Sequence, residues 1–251
     1  MNPIISFKNV SKVYHSLETE TLAVENMNFS IYPKEFLSIV GPSGCGKSTI
    51  LSLISGLSEA SKGKITINDE YQKNNNLFGY MLQSDYLFGW RTIYKNIILG
   101  LEIKNAVDEN SKKYVLELLK KYELEKFKDY YPNQLSGGMR QKAALIRTLV
   151  LKPEILLLDE PFSALDYQTR LKLSNEVKNI IKKEKKTAVL VTHDISEAIT
   201  LSDRILILSK RPSRIKKIIK IEEKFTNLSS KEKLKHKKFN EYFETIWSEF
   251  E

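Results

Sequence analysis

The sequence has little of what marks a secreted, membrane-spanning or zinc-binding protein. It contains a single cysteine, Cys45, so no disulfide can form within the chain, which favours a reducing compartment. No segment approaches the roughly 18 consecutive apolar residues of a membrane-spanning helix. The first residues lack the basic start and apolar stretch of a secretory signal, and no Cys/His cluster has the spacing of a zinc site. These absences predict a cytoplasmic protein.

Acidic residues are fewer than basic ones. The 31 Asp and Glu residues against 40 Lys and Arg residues leave a net charge of +9. Such an excess is typical of proteins that bind nucleic acid or an anionic membrane surface, and it also arises from a lysine-rich composition alone. Much of it lies between Lys210 and Lys238, where aromatic side chains do not alternate with the lysines as base-stacking platforms would. We therefore expect a solvated or lipid-facing surface there, and no nucleic-acid partner.

A glycine-rich segment that follows the apolar run Phe36–Val40 is the most informative feature present. A strand that leads into a glycine-rich turn and then a helix is the context of a nucleoside-triphosphate phosphate loop. Glycines let backbone N–H groups approach an anion, and the positive end of the helix faces the same phosphates. We expect Lys47 to reach the β- and γ-phosphates and Ser48 to ligate Mg²⁺. The predicted nucleotide-binding residues of this loop are Gly41, Pro42, Ser43, Gly44, Cys45, Gly46, Lys47, Ser48 and Thr49.

The rest of the chain alternates strand-like and helical patterns within a length ample for one large domain. Short period-two runs up to Ile67 predict strands, and helical spacing from Thr92 to about Phe127 predicts a helical insertion. Apolar runs at 155–158, 188–191 and 205–208 predict strands buried on both faces. In the polar tail, the apolar residues from Phe239 to Phe250 share one helical face. They predict an amphipathic helix docked on the domain, rather than one that binds a partner.

Two acidic residues, Asp159 and Glu160, follow the apolar run 155–158. We expect Asp159 to hold Mg²⁺ through water, and Glu160 to lie near the γ-phosphate, where a carboxylate polarises the attacking water. His193 follows the next buried strand, at the sheet edge where ligands bind in such folds. It is a candidate donor to the γ-phosphate.

A second anion-binding helix end is predicted at Ser136, Gly137 and Gly138. Ser136 is a good N-cap, and the glycines leave the helix N-terminus open. One nucleotide site has little use for two such ends. Two chains that share two nucleotides head to tail would use both.

Together these residues resemble the ATP-binding-cassette (ABC) ATPase, the nucleotide-hydrolysing subunit of transporters. The likeness runs from about Ile5 to Ile215, with the motifs in the family's order. It implies an α/β fold, in which a P-loop NTPase core with a mixed sheet carries an N-terminal antiparallel β subdomain and an inserted α-helical subdomain. The domain is expected over residues 1–222, with the helical subdomain at about 92–150 and a polar, amphipathic helical tail over 223–251.

The resemblance implies further roles. Tyr14 is similar to the aromatic residue that stacks on adenine, and Gln83 to the glutamine that meets Mg²⁺ and the attacking water and signals to the membrane subunits. Leu135–Met139 resembles the signature that closes over the nucleotide of the opposite subunit. Ser163–Asp166 resembles the loop that crosses the dimer interface, and His193 the switch histidine. The expected catalytic residues are Glu160, His193 and Gln83, and the expected metal-associated residues are Ser48, Gln83 and Asp159.

Three further segments narrow the resemblance. Leu87–Thr92, Tyr131–Gln141 and Arg211–Ile215 are similar to segments of the nitrate/sulfonate/taurine-type importers, a group that includes relatives handling vitamin precursors. Lys34 and Ser213 depart from the pattern, because each stands where glycine is usual. The implied cargo is a small organic anion or a vitamin precursor.

Several partners follow from the resemblance. It implies ATP and Mg²⁺, a second copy of the chain, integral-membrane permease subunits and, indirectly, an extracytoplasmic substrate-binding protein. The implied location is the cytoplasmic face of the cell membrane. The aromatic patch Tyr86–Trp90 is a candidate grip for a permease loop, the alternative being that its rings fill a core.

Other functions stay open on the sequence alone. A soluble ABC ATPase acting on nucleic acid or ribosomes is the main alternative, and an ATP-sensing module without turnover is another. The sequence does not identify the transported compound, and it indicates the direction of transport only through the resemblance. It also does not distinguish a homodimer from a heterodimer, and it assigns no role to the tail.

Overall fold

The computed structural model describes residues 2–16, 19–72, 76–163 and 165–250. Its first sheet is antiparallel, with the first strand of the chain lying between the second and the fourth. Its alternating polar and apolar residues suit a sheet with one face toward the core and the other toward water. The strands are β1 (Ile5–His15), β2 (Glu20–Ile31) and β4 (Lys62–Ile67), and β3 (Phe36–Val40) belongs to the second sheet.

The second sheet has the order β5 (from Phe78), β6 (from Ile155), β7 (from Thr187), β3, β8 (from Arg204) and β9 (from Ile215), and it is parallel except for its last pair. Its central strands are completely buried, which explains why they are continuous apolar runs in the sequence. The fold is therefore α/β with a mixed sheet and an antiparallel N-terminal sheet, as expected. The remaining strands are β5 (Phe78–Met81), β6 (Ile155–Asp159), β7 (Thr187–Thr192), β8 (Arg204–Leu208) and β9 (Ile215–Lys220).

Helices cover both faces of this second sheet. Side chains alternate along β6, so that Leu156 and Leu158 join a core with the helices of the middle of the chain, whereas Ile155 and Leu157 join a core with the first helix and the antiparallel sheet. The helices are α1 (Lys47–Ser55), α2 (Asp69–Gln72), α3 (Ile93–Ile103), α4 (Glu109–Lys121), α5 (Gly137–Leu149), α6 (Tyr167–Lys183) and α7 (Ile195–Leu201), followed in the tail by α8 (Glu223–Thr226), α9 (Ser230–Lys235) and α10 (Lys237–Trp247).

The C-terminal tail packs on the sheet domain. Phe225, Phe239 and Ile246 are buried in one cluster with residues of α7 and β8. The prediction that the apolar stripe of the tail forms a docked amphipathic helix is therefore confirmed. Burial of this stripe supplies the stabilisation that so polar a segment cannot gain from helix propensity alone.

The backbone at Lys34 explains why glycine is usual at this position. Its φ is 66°, a left-handed conformation that glycine adopts without strain and that other residues adopt less readily. A glycine at this position would therefore adopt the observed backbone conformation with less strain than Lys34 does.

Membrane-spanning helices were not expected from the sequence. Among the described residues, no helix combines the length and the apolar character that crossing a membrane requires.

Candidate functional site

Register in the parallel sheet brings the predicted site residues to one edge. Val40 lies opposite Thr192, and Asp159 lies opposite Val191, so β3, β6 and β7 end next to one another. The phosphate loop, the acidic pair and His193 each follow one of these strand ends. Residues more than 100 positions apart in the chain therefore meet where parallel strands present their carboxyl ends.

The phosphate loop joins β3 to α1 through two glycines with positive φ. Gly44 has a φ of 72° and Gly46 a φ of 113°, conformations that other residues adopt only with strain. A Cβ on Gly46 would lie 3.1 Å from the carbonyl oxygen of Ala23, so the packing also favours glycine there. The turn lets the loop lead directly into the N-terminus of α1, where free N–H groups and the helix dipole attract anions.

Lys47 lies inside this loop with only 5% of its side chain exposed. Its Nζ donates to the carbonyl oxygens of Gly41 (3.0 Å) and Pro42 (3.1 Å). The same atom lies 3.8 Å from Oε1 of Glu160. A buried ammonium group is therefore surrounded by oxygen atoms at the position where the phosphates of a nucleotide are expected.

Asp159 and Ser48 are in direct contact. The Ser48 hydroxyl donates to Oδ1 of Asp159 at 3.0 Å, and the Tyr80 hydroxyl donates to Oδ2 at 3.4 Å. Burial raises the pKa of Asp159, and the neighbouring Glu160 carboxylate raises it further, while the hydrogen bond from Ser48 opposes both effects. The Asp159 carboxylate is thus held in a partly desolvated position, where it would attract a cation strongly.

The oxygen donors of Ser48 and Asp159 fit Mg²⁺, which prefers hydroxyl, carboxylate and water oxygens. The third predicted metal-associated residue, Gln83, is exposed two residues after β5, and no hydrogen bond joins it to this pair within the described residues. No cluster of three or more His, Cys, Asp or Glu side chains suited to a metal ion occurs in the described part of the chain. Phosphate and water oxygens would therefore have to complete the coordination.

Glu160 has an unusual backbone and two basic neighbours. Its φ is 44°, a left-handed conformation that is uncommon for this residue type and concentrates at functional sites. Oε2 lies 3.0 Å from Nδ1 of His193, while Oε1 faces Lys47. His193 is more than half exposed, so this histidine links a partly buried carboxylate to the surface.

Tyr14 lies at the rim of the phosphate loop. Its hydroxyl is 3.5 Å from the Oγ1 of Thr49, and the Nζ of Lys12 lies 5.1 Å from the centre of its ring. The ring is 43% exposed, which leaves a face accessible to a nucleotide base.

Ser136 caps helix α5, and its Oγ accepts a hydrogen bond from the N–H of Met139 at 3.3 Å. The adjacent glycines form the first turn of the helix. A Cβ on Gly138 would lie 3.0 Å from the Cγ2 of Thr169, so this turn packs closely against α6. Within the described residues, no hydrogen bond or ion pair joins Ser136, Gly137 or Gly138 to the phosphate loop. The structure of one chain thus leaves the two predicted anion-binding ends separate.

The segment Ser163–Asp166 lies between Glu160 and α6, and its Ala164 lies outside the described residues. The Ser163 hydroxyl donates to the carbonyl oxygen of Glu160 at 3.0 Å. Asp166 caps α6 by accepting from the N–H groups of Gln168 and Thr169. The Thr169 side chain lowers the pKa of Asp166 most, and these backbone bonds lower it further. The segment therefore connects the acidic pair directly to a helix start.

Three side chains around the site were not expected from the sequence. Arg211 donates to the carbonyl oxygen of Gly44 at 2.8 Å and so supports the outside of the phosphate loop. Tyr80 contacts Asp159 from the neighbouring strand. Arg170 pairs with Asp194 at 2.9 Å, next to His193. No local pattern marks these residues, because each partner lies on a different element.

The aromatic segment Tyr86–Trp90 is exposed rather than part of a core. Tyr86 is 62% and Trp90 76% exposed, and the Phe88 and Trp90 rings lie 4.8 Å apart. The backbone beneath is fixed, because Asn96 exchanges hydrogen bonds with Phe88 and Arg147 donates to the Tyr86 carbonyl at 2.7 Å. The alternative that these rings fill a core is therefore wrong for Tyr86 and Trp90.

Comparison with known proteins places this geometry in a family context. The family model described as "ABC transporter" matches residues 24–163, more than half of the chain. An uncharacterized ABC transporter ATP-binding protein of Bacillus subtilis is 46% identical over 243 residues, which cover 96% of this chain and 93% of that protein. An aliphatic sulfonates import ATP-binding protein of Bacillus cereus is 42% identical over 217 residues, covering 86% and 85% of the two chains.

A solved structure is also similar. It is the dimeric post-hydrolysis state of an ATP-binding cassette bound to ADP and Pi, with a TM-score of 0.75 and 34% identity. The match covers 87% of this chain and 99% of that one.

Proposed function

This chain belongs to the ABC transporter family of ATPases, and we propose that it is the ATP-hydrolysing subunit of an importer. The proposal rests above all on the convergence of Lys47, Ser48, Asp159, Glu160 and His193 at one edge of the sheet. We also propose that residues 1–222 form the catalytic domain, with a helical subdomain at about 92–150, and that residues 223–251 form its tail.

In this proposal the phosphate loop binds the phosphates of ATP, and Tyr14 stacks on the base. Lys47 exchanges its contacts with Gly41, Pro42 and Glu160 for phosphate oxygens, which are stronger acceptors for an ammonium group. Mg²⁺ bound with the nucleotide would be held by Ser48 and Asp159, with Gln83 joining on closure, and would neutralise phosphate charge.

Glu160 is the proposed general base. Its carboxylate holds the attacking water and accepts its proton as the water attacks the γ-phosphate. Once Lys47 has moved to the phosphates, His193 still contacts Oε2 and keeps the carboxylate in place. The bond between the β–γ bridging oxygen and the γ-phosphorus breaks, and the products are ADP and inorganic phosphate.

Hydrolysis requires a second copy of the chain in this proposal. Ser136, Gly137 and Gly138 form a capped helix end that, within the described ranges, makes no hydrogen bond or ion pair with the phosphate loop of its own chain. We propose that each copy places this end on the nucleotide of the other, head to tail. The similar cassette structure is dimeric, which supports the pairing of two copies.

The work of transport is assigned to a separate permease at the cytoplasmic face of the membrane. The exposed rings of Tyr86, Phe88 and Trp90 on a fixed backbone form a suitable docking surface for a permease loop. The sulfonate-import relative supports a sulfonate as cargo, and the resemblance of three sequence segments adds taurine, nitrate or a vitamin precursor as further candidates. A binding protein outside the membrane would deliver it.

The test is affinity capture from gently solubilised native cells, using a tagged Glu160→Gln chain with ATP. We expect a multi-span membrane protein in about equal amount, whose identity would also indicate the cargo. Adding Trp90→Ala should abolish its recovery while ATP binding persists. Trp247→Ala, which removes the other tryptophan from an exposed position in α10, is the matched control. Recovery of ribosomes or nucleic acid without a permease would reject the transport function.

A further inference from the structure

A cavity of about 370 Å³ lies at the sheet edge opposite to the nucleotide site. Phe36, at the start of β3, and Leu201, at the end of α7, contribute an apolar floor, together with Ile181 of α6. The phosphate loop begins where β3 ends, and a five-residue strand spans roughly 17 Å. The cavity is therefore separate from the nucleotide site.

The wall of this cavity is strongly basic. It includes five lysines against two carboxylates, those of Asp203 and Glu223; the lysines are Lys34, Lys178, Lys182, Lys185 and Lys186. The Asp203 carboxylate accepts a hydrogen bond from the N–H of Phe36 at 2.9 Å, and Lys186 pairs with Glu154 at 3.2 Å. After these contacts the cavity keeps an excess of positive charge.

Behind the wall, a buried lysine lies beside Lys178. Lys178 of α6 and the fully buried Lys233 of α9 both donate to the carbonyl oxygen of Thr200, at 2.8 and 2.7 Å. Neither amine forms an ion pair with a carboxylate in the described part of the chain. Burial lowers the pKa of both side chains, and the charge of Lys178 lowers that of Lys233 further. An anion beside Lys178 would relieve this shortage of negative charge.

The cavity also joins the tail to the domain. Glu223, Thr226 and Asn227 of the tail form one side, and Lys182 donates to the amide oxygen of Asn227 at 2.9 Å. A molecule bound there would contact α6 and α8 at once, and would hold the first helix of the tail against the domain.

We propose that this cavity binds a small organic anion, with a carboxylate or phosphate group facing the lysines and a compact apolar body on the floor of Phe36, Ile181 and Leu201. The combination of charge and apolar floor selects such a ligand over an inorganic ion, which would leave the floor uncovered, and over a neutral molecule, which would leave the positive charge of the wall unbalanced. The site is independent of the proposed transport function.

The experiment titrates 4-fluorobenzoate into the full chain and follows its fluorine NMR signal, with 4-fluorobenzyl alcohol as a neutral probe. We expect saturable binding of the carboxylate and not of the alcohol. The double variant Lys182→Gln/Lys185→Gln should weaken binding by about tenfold, because two of the exposed charges that attract the carboxylate are removed. The matched control is Lys8→Gln/Lys64→Gln, which removes two exposed lysines from the antiparallel sheet and should change binding by less than about twofold.

Repeating the titration with a saturating non-hydrolysable ATP analogue distinguishes this cavity from the phosphate loop. Binding that persists supports the proposal, because the two sites lie at opposite edges of the sheet. Loss of binding with the analogue would mean that the probe occupies the nucleotide site. Absence of saturable binding, or equal weakening in the two double variants, would also overturn the proposal.

Discussion

Two buried lysines at opposite edges of the same sheet experience very different surroundings. Lys47 has two carbonyl oxygens and the Glu160 carboxylate around its ammonium group. Lys233 has one carbonyl oxygen, which it shares with Lys178, and the ring of Phe225 at 5.3 Å. Burial of charge is tolerated at the first position because anionic partners face it, whereas at the second it opposes the charged state. The surroundings of Lys47 suit a phosphate site, whereas those of Lys233 leave a buried amine with too little negative charge around it.

The largest expected effect comes from removing the carboxylate that faces Lys47. Glu160→Gln should lower the rate of ATP hydrolysis by about 10²–10⁴-fold, because the amide cannot accept the proton of the attacking water. Steady-state phosphate release measures the rate, and a fluorescent nucleotide measures binding, which should persist. Glu154→Gln is the matched control, since Glu154 stands before the same strand and pairs with Lys186 at the other edge. Comparable loss of hydrolysis in both variants would contradict the assignment.

A smaller effect is expected from Lys47→Met. ATP affinity should fall by roughly 10²-fold, because a charge-assisted contact to phosphate contributes about 1.5–3 kcal/mol. Equilibrium titration with the fluorescent nucleotide provides the measurement. Lys233→Met should leave this affinity unchanged, which separates the two buried lysines by function. Unchanged ATP affinity in Lys47→Met would show that the phosphates bind elsewhere.

Replacing Lys233 should stabilise the folded chain, whereas replacing Lys47 weakens ATP binding. Lys233→Met should raise the free energy of unfolding at pH 7 by about 1 kcal/mol, because an apolar chain of similar length replaces a desolvated amine. Urea unfolding measures this difference. Lys235→Met, two residues along the same helix and exposed, should have little effect. A destabilised Lys233→Met would mean that the hydrogen bond to Thr200 outweighs the desolvation of the amine.

The pH dependence of stability gives the smallest and most specific effect. Because the pKa of Lys233 is lowered in the folded chain, the unfolded chain binds more protons between that lowered value and the ordinary value of about 10.4. Stability from this group therefore increases as the pH rises through that interval. The unfolding free energy of Lys233→Met should increase less between pH 7 and pH 9.5 than that of the unmodified chain. Parallel curves would indicate that Lys233 does not titrate in this interval.

The strand and helix on either side of the phosphate loop, and the last helix of the tail, were predictable from local sequence. The apolar run before the phosphate loop predicts the buried strand β3, and α1 begins at Lys47 as the motif requires. The tail stripe predicts a docked helix, and α10 covers Lys237–Trp247. These inferences succeeded because periodicity and glycine placement act within a few residues. The catalytic and metal-binding roles assigned from the sequence stay predictions.

Side-chain pairing across elements was not predictable in the same way. Composition alone predicts that the lysines from Lys231 to Lys238 belong to a solvated or lipid-facing surface, yet Lys233 is fully buried. In the sequence, the segment Arg211–Ile215 indicates only a similarity to a group of importers. In the structure, Arg211 supports the phosphate loop by donating to the carbonyl oxygen of Gly44. Nothing in the spacing of either residue indicates its partner.

The buried central strands, the phosphate loop and the acidic pair after a buried strand could all be inferred from sequence, because each depends on residues close together in the chain. Tertiary packing was needed to bring Arg211 to a carbonyl 167 residues away, to make Lys233 share Thr200 with Lys178, and to line one cavity with lysines from distant parts of the chain. The physical reason is that desolvation and charge depend on what surrounds a group in space, and the packing of distant segments sets those surroundings.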